Sequence, residues 1–170
     1  LFFMGQFALF TYVRPFLETV TRVDITTLSL ILLTIGVAGF IGTLVVGTFL
    51  KAGFYPTLTV IPLLMAGIAA TLVLTGHSVW IVASLLGFWG LMATAAPTGW
   101  WTWIARTLPE DAEAGGGLMV AVIQLSIALG STVGGVVFDH FGWQRAFELS
   151  GILLLSAAVL TVVTARRLNS

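Results

Sequence analysis

Long apolar runs alternate with short polar gaps along the whole chain, and the runs have a length suited to lipid rather than to a soluble core. The hydrocarbon core of a bilayer needs about 20 mostly apolar residues per helix. Six runs are of that order: 1–20, 25–50, 54–75, 79–104, 115–138 and 147–165. The pattern therefore predicts an all-α membrane protein of six transmembrane helices. Orientation follows Lys and Arg in short loops, with Asp and Glu counting for little. Lys51, Arg106, Arg166 and Arg167 follow the second, fourth and sixth runs, whereas only Arg22 and Arg145 follow the first and fifth. This bias places the C-terminus in the cytoplasm. Trp100, Trp101 and Trp103, just before Arg106, fit a belt of rings at headgroup level.

The two halves, 1–76 and 77–170, repeat one order of features. The first helix of each carries an internal proline, Pro15 or Pro97. Each proline removes a backbone donor and crowds the preceding turn, so both helices should bend and free carbonyls. The second helix of each half carries small residues at a spacing of four: Gly39, Thr43 and Gly47 in one, Ser126, Gly130 and Gly134 in the other. Such faces let backbones approach closely. Related turns follow, one reaching Lys51 and Gly53, the other Asp139 and Gly142. The third helices look almost featureless, as lipid-facing helices would. Three helices per unit invert the second unit relative to the first, and inverted repeats with interrupted helices in matching positions characterise secondary transporters. The competing explanation is that Gly and Pro are simply common in membrane helices.

Composition narrows the functions. The chain is 58% hydrophobic and 8% charged over 170 residues, far more apolar surface than a soluble fold of that size can enclose. Seven basic against seven acidic residues leave no basic patch, so no nucleic-acid partner is expected. The absence of cysteine removes disulfides and thiol catalysis. HExxH, GxSxG and GxxxxGK[ST] are missing, so the usual zinc-protease, serine-hydrolase and ATPase signatures do not apply. His77 and His140 lie in different gaps, so no metal site, and no cofactor or enzyme activity, is expected. The chain opens at Leu1 inside an apolar run without a charged leader and cleavage site, and an upstream portion is expected.

Candidate site residues follow from polar groups at membrane depth. Phe7, Thr11, Arg14 and Glu18 recur at spacings of three and four and so share a helix face. An arginine at the centre of a membrane helix costs about 2.5–3.5 kcal/mol on insertion scales. Arg14 should therefore meet protein, water or Glu18, unless it reaches out to the interface. Tyr12 beside this stripe offers a ring and a hydroxyl, for a solute or for the interface. Gln124 is the amide in an apolar, small-residue run and must find either another helix or a ligand. Trp89, with Thr94 and Thr98 further along, offers an aromatic and hydroxyl wall or a packed core face. No carboxylate stands at mid-run, so Glu18 is the candidate proton-coupling group unless that group lies upstream.

Two stretches carry a resemblance: Gly5-Gln-Phe-Ala-Leu-Phe-Thr-Tyr-Val-Arg-Pro15, and Gly99-Trp-Trp-Thr-Trp-Ile-Ala-Arg106 followed by Val120-Ala-Val-Ile-Gln124-Leu and Gly134-Gly135. They resemble the C-terminal half of major facilitator superfamily transporters of the drug:proton antiporter type, most of all purine ribonucleoside efflux pumps and related sugar efflux transporters. The resemblance implies a twelve-helix transporter of the bacterial inner membrane whose N-terminal six-helix half is the partner of this one. It further implies solute exported against protons, with the two proline helices lining the cavity. Two departures stand out. Gln6 replaces a histidine usual in the family and cannot titrate, and Lys51 stands where the superfamily loop motif has an acid. The rival expectations are sugar or drug export by the same fold, and a six-span channel or assembly subunit. A channel would need charge rings or carbonyl-donating loops, which the sequence lacks.

Overall fold

Pro15 sets the course of the first segment. With no N–H to give the Thr11 carbonyl, and with its ring crowding that carbonyl, it ends helix α1 (Phe2–Phe10) at a turn through Thr11 and Tyr12. The chain resumes as a short α2 (Val13–Phe16) and a π-helical turn (Leu17–Thr21), which closes at Arg22 with φ 58°. The structure, a computed structural model, describes residues 1–107 and 112–168. The second proposed repeat, 77–170, thus includes residues outside the described ones.

Asp24 then caps α3 (Ile25–Ala52), accepting from the Thr26 N–H at 3.2 Å and from the Thr27 hydroxyl. These bonds satisfy a first-turn amide that has no partner inside the helix, and they hold the Asp24 carboxyl below its ordinary range, the Thr27 hydroxyl contributing most. An extended Gly53 separates α3 from α4 (Phe54–Thr75), and α5 (Val79–Thr107), α6 (Ala112–Phe141) and α7 (Trp143–Leu168) follow. The helices outrun the apolar runs that predict them, because a helix continues its hydrogen bonding through the interfacial region.

Among the described residues five helices, α3 to α7, are long and apolar enough to cross a membrane. The sixth expected span, 1–20, is present as broken pieces rather than as one continuous helix. Pro97 behaves differently from Pro15, since α5 runs through it unbroken, as α4 does through Pro62. Among the described residues the chain is interrupted in the first segment, where Pro15 is followed by a π-helical turn, while α5 continues through Pro97.

α3 lies chiefly on α5, α4 on α7, and α1 on α6 and α7. The first of these contacts is close because Gly42 faces the Leu91 backbone and Gly90 faces that of Ile35, leaving no space for a β-carbon. The α1–α6 contact repeats the device, with Gly130 against Met4 and Gly134 against Ala8. Between these pairs Phe16, Met65, Leu72, Leu86, Phe147 and Leu154 form a dry centre. The third helices are therefore not simply lipid-facing: α4 and α7 bury one face on each other and turn Leu63, Leu64, Ile152 and Leu155 outward. α3 and α6 expose the most, including Leu30, Leu33, Phe40 and Leu44 on one and Leu118, Val122 and Leu125 on the other. In water such apolar rows would be costly, whereas lipid or a second helical half accepts them.

Candidate functional site

The break in the first segment is tied to α6 by hydroxyls. Tyr12 Oη donates to the Ser131 carbonyl at 2.6 Å, and Thr11 Oγ1 lies 2.9 Å from Ser131 Oγ. Thr11 Oγ1 also donates to the Phe7 carbonyl at 2.8 Å, covering an acceptor near the helix end. The Tyr12 ring stacks on Phe138 with centroids 5.1 Å apart, and its hydroxyl sits over Gly135, where a β-carbon would collide with it. The small residues of α6 thus do more than bring two backbones together; they make room for a tyrosine at a helix break.

Around the break, Thr11, Arg14 and Glu18 are exposed and Phe7 is half-buried, so the expected face exists despite the interruption. Arg14 Nε donates to Glu18 Oε1 at 2.9 Å. Their side chains are 66% and 43% exposed, so the pair contributes only a few tenths of a kcal/mol to folding. Its value is positional, since it presents a guanidinium and a carboxylate one turn beyond the break.

The other expected site residues lie elsewhere. Gln124 is exposed on α6, six residues before the Gly130 that touches Met4, which is about 9 Å along the helix axis. It therefore stands level with the start of α1 and apart from Thr11, Tyr12 and Arg14. Trp89 is fully buried with Nε1 unpartnered. This arrangement gives it no surface for a solute, because the bundle core closes over the ring. Gln6 is also buried, with Oε1 unpartnered.

The small-residue stripes divide in the same way. Gly39 meets Thr94, whose hydroxyl donates to the Gly39 carbonyl at 2.5 Å, whereas Gly47 faces open space. Thr43 and Ser126 donate to carbonyls one turn back in their own helices. Trp100 and Trp103 line a crevice of about 550 Å³ with Phe2, Tyr55 and Ser126, while Trp101 remains outward. Among the described residues no cluster of His, Asp or Glu has the makings of a metal site.

Sequence reasoning missed Ser131 and Ser150. Ser150 Oγ donates to the Gly5 carbonyl at 2.6 Å and pins α1 to α7. Ser131 sits inside the recognised stripe between Gly130 and Gly134, but nothing local announces a partner 119 or 120 residues away.

Comparison with known proteins agrees with this architecture. Residues 1–169 match the family described as the Major Facilitator Superfamily. A Pseudomonas aeruginosa protein named transcription regulatory protein OpdE is 63% identical over 166 residues, covering 98% of this chain and 41% of that protein. The Salmonella typhimurium purine ribonucleoside efflux pump NepI is 40% identical over 164 residues, covering 96% of this chain and 41% of the pump. The chain thus spans about two-fifths of the length of the curated relatives it matches.

Proposed function

This chain belongs to the Major Facilitator Superfamily, and from that membership we propose that it is the six-span C-terminal half of an exporter of small polar solutes, purine ribonucleosides foremost, driven by exchange for protons. One observation carries the reading: a helix interrupted inside an apolar run, with Thr11, Tyr12, Arg14 and Glu18 gathered at the break and α6 packed behind it. Interrupted helices supply the polar groups from which transporters build solute sites. In this reading Arg14 and the Tyr12 ring meet the solute, Thr11 fixes the break, and Glu18 orients Arg14 and carries the proton. Residues 1–76 and 77–170 act as inverted repeats, because the second helix of each packs on the first helix of the other. Rocking of this bundle against the N-terminal half opens the cavity to each side in turn, with the C-terminus in the cytoplasm of a bacterial cell.

The test is uptake of radiolabelled purine ribonucleosides, sugars and hydrophobic drugs into everted vesicles holding the full-length protein, with and without an imposed pH gradient. Uptake of nucleosides that follows the gradient is expected. Arg14→Gln should lower it about tenfold or more, as loss of a charge-assisted contact does, while protein in the membrane stays unchanged. Nucleoside transport indifferent to both the gradient and Arg14 would overturn the assignment, and selective uptake of a sugar or drug would move the substrate.

The name of the Pseudomonas relative raises a second reading, control of transcription. Direct contact with DNA finds no support here, since the chain has zero formal net charge and no basic face to meet phosphates. Any influence on transcription would run through the solute exported, and a transport-dead variant would then lose both effects together.

A further inference from the structure

At the end of the bundle opposite Lys51 and Arg106, the π-helical turn, the α4–α5 turn and the start of α7 border an open hollow of about 410 Å³ lined by Thr19, Val20, Thr21, Arg22, His77 and Trp143, with Arg22 and His77 exposed. Its walls are fixed to each other. Thr21 Oγ1, buried, donates to the Gly76 carbonyl at 2.8 Å, and His77 Nδ1 lies 3.2 Å from the Val20 carbonyl. Gly76 approaches so near to Trp143 and Phe16 that a β-carbon would touch both rings, and Trp143 is braced in turn by Phe16 and Phe147. A hollow held in this way keeps its shape without a ligand.

Its charge is one-sided. Among the described residues the Arg22 guanidinium has no hydrogen bond or ion pair, and His77 Nε2 has no partner. The acids nearest in sequence are engaged elsewhere: Glu18 by Arg14 at 2.9 Å, Asp24 by the first turn of α3, and Glu148 by Arg145 at 2.7 Å. Asp139, at the end of α6, forms no ion pair with Arg22. Arg22 also holds the left-handed φ of 58° that glycine would adopt without strain. A residue kept against that preference, with its charge unanswered in a concave, braced site, fits a ligand clamp.

We propose that this hollow binds the phosphate group of an anionic ligand at the membrane surface, with Arg22 as the charged donor, His77 beside it as a second polar group and Trp143 as the apolar floor. The hollow lies where α4 ends and α5 and α7 begin, and the ends of membrane-spanning helices stand near the headgroups. Arginine supplies a planar fork of N–H donors for phosphate oxygens, and the imidazole ring stands next to it with Nε2 unengaged. The phosphate comes either from an anionic phospholipid or from a soluble anion, and the two sources are separable.

The test uses the full-length protein purified in mild detergent. Native mass spectrometry measures retention of phosphatidylglycerol against phosphatidylcholine, and thermal unfolding is followed with and without inorganic phosphate. The variants are Arg22→Gly, His77→Gln and, as a control outside the hollow, Arg145→Gln. Arg22→Gly should unfold no earlier than the native protein when ligand is absent, because glycine suits the backbone there. It should nevertheless hold phosphatidylglycerol about fivefold less tightly, the effect of one surface cation. Loss of phosphatidylglycerol preference in Arg22→Gly and His77→Gln, with Arg145→Gln unaffected, identifies a lipid headgroup. Stabilisation by inorganic phosphate that needs the same two residues, without a lipid preference, identifies a soluble anion. Binding in both arms that ignores Arg22 and His77, or that falls equally in Arg145→Gln, overturns the proposal.

Discussion

Glycine in this bundle has two different jobs, and the difference is measurable. Gly134 lies against the Ala8 backbone, so even a β-carbon has nowhere to go, whereas Gly47 faces open space on the sister helix. Gly134→Leu should destabilise the protein by about 1–3 kcal/mol or more through overpacking. Gly47→Ala should be neutral or gain up to about 1 kcal/mol from helix propensity. Thermal unfolding of both variants in detergent checks the pair, and equal losses would show that spacing rather than contact decides. The sequence listed both residues in similar stripes because a spacing of four reports a shared face but not what the face meets. Trp89 makes the same point, since an aromatic at mid-helix reads alike whether it lines a cavity or, as here, fills the core.

At the scale of the element, the first segment and α5 show that one proline does not dictate one outcome. α5 stays helical through Pro97, and α4 does so through the buried Pro62. The first segment breaks at Thr11 and Tyr12, where hydroxyl bonds to Ser131 and a π-helical turn reward the interruption. Pro15→Ala should restore the amide that bonds to the Thr11 carbonyl and favour a continuous helix, drawing Tyr12 away from Ser131. The expected result is unchanged or higher thermal stability with solute export reduced several-fold, measured in the same vesicles. Export that survives at full rate would detach the break from transport. The proline positions were legible in the sequence, but which of them would interrupt a helix depended on partners more than 100 residues away.

For the whole molecule, the absence of cysteine turns topology into a direct measurement. Lys51 and Ser78 lie at opposite ends of the bundle, in the last turn of α3 and just before α5. In the full-length protein, should its remaining part also be cysteine-free or made so, Lys51→Cys should react with a membrane-impermeant thiol reagent only in everted vesicles. Ser78→Cys should react only in intact cells. The reverse pattern would invert the orientation inferred from Lys and Arg. At the same scale, α3 and α6 keep long exposed apolar rows, which lipid or another apolar helix accepts where water would not.

By itself the sequence determined the solvent, the helical class, the approximate positions of the spans and the residues capable of close packing. These are one-dimensional properties: a length set by bilayer thickness, a spacing set by the helical turn, and a count of charges. Even Arg14 and Glu18 were readable, since their 2.9 Å contact joins residues only four apart in the chain. Only the tertiary structure decided that Gln124 stands away from the break, that Trp89 is enclosed, that Ser131 anchors Tyr12, and that Arg22 and His77 share a hollow. Each of those outcomes depends on how segments far apart in the chain pack side by side, and no local periodicity carries that information.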